Sequence, residues 1–104
     1  MSAEDPVVIV GMARTPMGGL LGELASKTAN ELGAIAIQGA MEDAGLSGDA
    51  VNEVIMGNCL PAGQGQAPAR QAGIKAELPE AAEATTINKM CGSGMQAAVM
   101  GRNA

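Results

Sequence analysis

The sequence predicts an α/β domain, a βαβαβα unit with parallel strands. Three observations carry that expectation. The run Val7-Val8-Ile9-Val10 is continuous, apolar and β-branched, the composition of a strand buried on both faces of a parallel sheet. Thr28-Ala29-Asn30-Glu31 has the form of a capping box and opens a stretch of helical periodicity. Two further β-prone runs, residues 51–56 and 84–88, alternate with helix-prone segments, and such alternation belongs to parallel sheets with crossover helices.

The first strand ends at Gly11. Ala13-Arg14-Thr15-Pro16 and the Gly18-Gly19 pair make an irregular loop, and residues 17–27 carry no period. The capping box predicts a helix over about 29–44, with Leu32, Ile35, Ala36, Gly39 and Ala40 on one packed face. Gly45 is placed to stop it in a left-handed conformation. Gly57-Asn58 closes the second strand, and Leu60-Pro61-Ala62-Gly63-Gln64-Gly65-Gln66 is a loop rich in glycine and glutamine. It lacks the lysine and the spacing of a phosphate loop. Pro68 suits the first turn of a short helix that ends at Gly73 or soon after, and Pro79 marks another loop. A third helix is expected from Cys91 to Asn103. Residues 1–104 read as one incomplete domain.

Composition narrows the function classes. The 104 residues contain no Phe, Tyr, Trp or His, but 15 Gly and 8 Met. A core of Ala, Val, Ile, Leu and Met buries less area per residue than one with aromatics, so marginal stability is expected at this length. The chain reads as a piece of something larger or as an edited sequence. The net charge is −5, and the basic residues are scattered. With no basic stripe and no aromatics to stack on bases, nucleic-acid binding is not expected. No run is long enough to span a bilayer, and Met1 to Asp5 lacks a basic start of signal type, so a cytoplasmic setting is expected. Cys59 and Cys91, without any histidine, do not make a usual zinc site, and no metal is expected. In a reducing compartment the two stay free thiols.

Thr85-Thr86-Ile87-Asn88-Lys89-Met90-Cys91-Gly92-Ser93-Gly94-Met95 is the stretch with chemical content. A cysteine stands between a β-prone run and a glycine-loosened helix start. Amides at a helix N-terminus carry partial positive charge and favour a thiolate, which points to nucleophilic acyl transfer through a thioester.

The segment Asn88-Lys89-Met90-Cys91-Gly92-Ser93-Gly94-Met95 resembles the nucleophile segment of the thiolases, the acetyl-CoA acetyltransferase family. Val8-Ile9-Val10 with Ala13-Arg14-Thr15-Pro16 resembles that family's first strand and loop. Gly57-Asn58, Gly63-Gln64-Gly65-Gln66 and Pro68-Ala69-Arg70-Gln71 resemble its second strand, loop and helix. Four segments in the right order cover nearly the whole chain. The resemblance implies part of a thiolase N-terminal half-domain, with strand order 3-2-1-4-5 and the last two strands missing here. The strand at Val7 to Val10 would then carry an apolar open edge. It implies Cys91 as the catalytic nucleophile that carries an acyl group between coenzyme A thioesters, its backbone N–H helping to hold an oxyanion. It implies acyl-CoA and coenzyme A as substrates with no permanently bound cofactor, and a homo-oligomer that pairs through the third strand. The residues that bind coenzyme A come mostly from later family segments, so none is assigned here. The family's Gly-His-Pro, Cys-x-Gly and Asn-Glu-Ala-Phe motifs are absent from these 104 residues, so the isolated chain is expected to be inactive.

Each residue also has a plainer reading. Cys91 alone would read as an inert cysteine at a helix start, and it is the flanking segments that favour nucleophile ancestry. Ser93 is expected to bond nearby backbone rather than to react. Gly92 and Gly94 fit either close backbone approach at the nucleophile or plain turn flexibility. Cys59 reads as a small apolar residue, and Arg14 and Arg70 as makers of loop hydrogen bonds. Two other classes stay open at this level: a non-enzymatic association module, and a relative of the β-ketoacyl synthases.

Overall fold

The computed structural model describes residues 6–104, so the reading of Met1 to Asp5 lies outside the described residues. The order of elements is α1 (Ala29–Ala44), a 3-10 turn (Gly48–Ala50), β1 (Glu53–Gly57), α2 (Pro68–Lys75), β2 (Glu83–Ile87) and α3 (Ser93–Asn103). β1 and β2 run parallel, in register from Glu53 opposite Glu83 to Gly57 opposite Ile87. β1, α2 and β2 form a βαβ unit. α1 packs on α2, and α2 and α3 both pack on the strands.

α1 has the expected bounds, and its ends show why. The Thr28 hydroxyl accepts from the Glu31 N–H at 3.1 Å, while the Glu31 carboxylate accepts from the Thr28 N–H at 3.4 Å. At the other end Gly45 is left-handed, with φ 68°. The Gly45 and Leu46 amides return to the Glu42 and Met41 carbonyls, both at 3.1 Å, which is a Schellman stop. α2 ends by the same pattern without glycine. Glu77 and Leu78 donate to Ile74 and Gly73, both at 3.0 Å, and Glu77 takes φ 65°. Gly73 therefore lies inside α2. A Cβ there would sit 3.6 Å from Val54 Cγ2, an ordinary packing distance against β1.

The core is small-grained. Ala34, Val54, Ala76 and Leu78 form its buried centre, with Ile37, Val51, Met56 and Ala84 packed against it. Among the described residues no side chain is completely enclosed. Close approach replaces bulk: at Gly33 a Cβ would lie 3.2 Å from Ala72 Cβ, which brings α1 and α2 together.

One expected strand is absent. Val7 to Val10 is not part of the sheet, which consists of β1 and β2 among the described residues. Val8, Ile9 and Val10 are 66, 86 and 62 % exposed. The chain is anchored just after this run, along α1 rather than beside β1. The Met12 N–H donates to Asp43 Oδ2 at 3.0 Å, and Gly11 lies so near α1 that a Cβ would come within 2.5 Å of the Ala40 carbonyl oxygen. The β-branched composition is intact, but the contacts that follow the run hold the chain along α1, and the run is placed outside the sheet.

Candidate active site

β2 delivers the chain at Ile87 and α3 receives it at Ser93. The five residues between them make a tight turn that carries Cys91. Asn88 opens it: its Oδ1 accepts from the Met90 N–H at 2.9 Å, an Asx turn of the kind short polar side chains build. Met90 then takes φ 49°, a left-handed backbone that costs a non-glycine residue about 1–2 kcal/mol. Ser93 closes the turn. Its Oγ accepts from the Lys89 N–H at 2.9 Å and donates to the Met90 carbonyl at 2.6 Å. Ser93 is 4 % exposed, so the hydroxyl satisfies two backbone groups away from water.

Cys91 is exposed and a free thiol. It stands just before the N-cap, Gly92, and α3 begins two residues later than the sequence predicts. The reason lies in the turn. The Gly92 and Ser93 amides donate to the Lys89 and Met90 carbonyls at 3.0 and 3.1 Å, and the helical pattern begins with Gln96 donating to the Gly92 carbonyl at 2.9 Å. Two of the amides expected to face the sulfur are thus engaged within the turn. The Lys89 ammonium folds over the first turn of α3 and donates to Gln96 Oε1 at 3.3 Å.

The turn is seated against the sheet through Gly57. A Cβ on Gly57 would lie 2.4 Å from the Ser93 carbonyl carbon and 2.5 Å from the Gly94 nitrogen, closer than side chains approach backbone. Only glycine at the end of β1 lets α3 start where it does, a role sequence reading missed by taking Gly57 as a strand terminator. Ser93 bonds backbone, as expected. Arg14 and Arg70 donate to the carbonyls of Thr15 at 3.2 Å and Ala82 at 2.9 Å, as their plainer reading has it. Cys59 is exposed, against its reading as a packed apolar residue.

The glycine- and glutamine-rich loop is held by amides. Buried Asn30 donates to the Gln64 carbonyl at 3.1 Å and to Gln71 Oε1 at 2.8 Å. Gln71 in turn donates to the Gln64 and Gln66 carbonyls at 3.1 and 2.7 Å, and Asn58 donates to Gln64 Oε1. Glutamines among glycines were the available clue that this loop is built rather than free. A cleft of about 90 Å³ beside it, bordered by Asn30, Met56, Asn58 and Thr86, is small against the ~300 Å³ of a typical ligand pocket. Cys91 does not line it.

Residues 7–104 match the family model described as thiolase, N-terminal domain. The chain belongs to the thiolase family. This thiolase segment is 56 % identical over 96 residues to the mitochondrial acetyl-CoA acetyltransferase of Rattus norvegicus, covering 92 % of this chain and 23 % of that protein. It is 52 % identical over 101 residues to the cytosolic acetyl-CoA acetyltransferase of Gibberella zeae, covering 97 % and 26 %. Among solved structures it is similar to the Acat5 thiolase of Ascaris suum in complex with coenzyme A, with TM-score 0.90 and 40 % identity over 92 % of this chain and 25 % of that one. The chain thus spans about a quarter of the length of these thiolases.

Proposed function

We propose that the chain supplies the nucleophile segment of an acyl-CoA acyltransferase of the acetyl-CoA acetyltransferase type, with Cys91 as the acyl carrier. The observation that carries this is the exposed Cys91 thiol on a braced turn between β2 and α3, in a family whose named relatives are acetyl-CoA acetyltransferases. The Cys91 sulfur, as thiolate, attacks the thioester carbonyl of an acyl-CoA. A new carbon–sulfur bond forms to Cys91, the bond to the coenzyme A sulfur breaks, and coenzyme A leaves as a thiolate that takes up the proton Cys91 gave away. The reverse step returns the acyl group to coenzyme A. The Cys91 amide lies on the same turn, and the proposal assigns it as a donor to the oxyanion of that step.

The names of the relatives favour the thiolase reading over a β-ketoacyl synthase one. A homo-oligomer and a cytoplasmic setting belong to the proposal, the second supported by the cytosolic acetyl-CoA acetyltransferase among the relatives. Among the described residues no helix is long and apolar enough to cross a membrane. The 104 residues contain no histidine, so the reading assigns them acyl loading rather than turnover. Incubated with acetyl-CoA, the chain gains one acetyl group on Cys91, located by peptide mass spectrometry, and Cys91→Ala gains none there. Acetoacetyl-CoA is turned over no faster than by Cys91→Ala. A wild-type Cys91 no more acetylated than Cys59 overturns the reading and leaves the non-enzymatic module.

A further inference from the structure

The geometry points to Ser93 and Asn88 as positioning residues that hold the Cys91 turn from its two ends; this deepens the proposed function and rests on it. Each observation is local and independent of the others. The Ser93 hydroxyl joins the first amide of the turn, at Lys89, to the carbonyl of Met90, across the residue with the left-handed backbone. Asn88 secures the amide of the same Met90 from the strand side. Met90 therefore has both its N–H and its carbonyl held by side chains, and Cys91 is the next residue. Beneath them, Gly57 gives the Ser93 and Gly94 backbone a seat that no larger residue provides.

The arrangement has a direct consequence for the thiol. Met90 is 62 % exposed, so packing of its side chain does not fix its backbone. With the hydroxyl removed, the Lys89 amide loses its acceptor. The Met90 carbonyl keeps only the Ser93 amide, and the left-handed conformation has less to hold it. Relaxation of Met90 rotates the peptide that leads into Cys91, which moves the sulfur and turns the Cys91 amide together. Transfer from a thioester depends on both, whereas reaction with a small alkylating agent depends mainly on exposure and ionisation. Acyl transfer is the step that falls steeply with misplacement, which costs about 100-fold for 1 Å in favourable cases.

The experiment uses the chain with Ser93→Ala and, separately, Asn88→Ala. The second residue is exposed and acts on the same turn without disturbing the core. Two rates are read by mass spectrometry at Cys91: acetylation by acetyl-CoA and alkylation by iodoacetamide. Cys59, also exposed, is the internal control for each. Both variants should lower Cys91 acetylation by about 10-fold or more and change its alkylation relative to Cys59 much less. Equal losses in the two reactions, or no loss in either, overturn the positioning role while leaving Cys91 as acyl carrier. If the unsubstituted chain takes up no acetyl group, the proposed function fails instead. The positioning role, which rests on that function, then falls with it, whereas uptake of acetyl by the unsubstituted chain with undiminished uptake in both variants overturns the positioning role alone.

Discussion

Glu31 shows how much a single side chain contributes where a helix begins. Its carboxylate accepts from the Thr28 N–H at 3.4 Å and from the Thr28 hydroxyl at 3.1 Å. These two bonds, the backbone one first, with smaller help from the charges of Lys27 and Lys75, hold its carboxyl below the ordinary glutamate value. A carboxyl lowered in the folded state binds its proton more readily when unfolded. Its contribution is therefore complete above the unfolded value of about 4.3 and fades as pH falls through the lower folded one. The melting temperature of the native chain should exceed that of Glu31→Gln at neutral pH, and the gap should close on acidification below about pH 4. A gap that stays constant with pH would mean that the carboxylate charge has no part in it. The capping residues were legible in sequence because their chemistry is local and their spacing fixed. The brace at Ser93 was legible only in kind. A serine in a first turn bonds some backbone group, but which one depends on Met90 turning left-handed, and nothing in Asn88-Lys89-Met90 announces that.

The two Schellman stops set a comparison at the scale of the element. α1 ends on Gly45 and α2 on Glu77, with the same pair of backbone bonds and nearly the same φ. Left-handed backbone costs a residue with a Cβ about 1–2 kcal/mol, and glycine gives back part of that through the entropy it loses on folding, about 0.5–1 kcal/mol. Glu77 is exposed and no packing is lost with it. Glu77→Gly should therefore stabilise the chain by about 0.5–1 kcal/mol, read as a higher denaturant midpoint at unchanged slope. Destabilisation would show that the Glu77 side chain makes a contribution that its exposure hides. The same contrast explains which elements were readable. α1 carried a cap at each end and was placed to the residue. α2 has a left-handed N-cap at Ala67, φ 45°, and a glutamate at its stop, so its bounds followed from tertiary contact: the Ala69 N–H donates to the Thr86 hydroxyl of β2 at 2.9 Å. β1 and β2 fell within a residue or two of expectation, since β-prone runs bounded by glycine and asparagine mark themselves. Val7 to Val10 misled because composition states a preference for strand but says nothing of where the run is placed, which here is outside the sheet and next to a segment held along α1.

For the molecule as a whole, apolar side chains left outside the core go with a large exposed surface. A folded monomer of 10.3 kDa exposes about 5,400 Å², and this chain exposes 7336 Å². Its radius of gyration is 14.0 Å, against about 13 Å for a compact chain of this length. Val8, Ile9, Val10, Met12, Met17, Leu20 and Leu21 all lie in the segment before α1, and all are more than half exposed. Apolar side chains exposed in this number are covered by a partner or drive aggregation, and a β-branched run outside the sheet is of a composition that pairs edge to edge. The available partner in a purified sample is a second copy. Sedimentation velocity at micromolar concentration should show species heavier than the monomer, with the fraction rising with concentration. Ile9→Lys puts a charge at the most exposed residue of the run and should shift the distribution towards monomer, while the helical signal in circular dichroism stays, since Ile9 is outside the core formed around Val54 and Leu78. A monodisperse monomer in the unsubstituted chain would show that this surface is tolerated in water. An unchanged distribution in Ile9→Lys would move the contact to another face, where exposed Met95 and Val99 of α3 are the next residues to substitute.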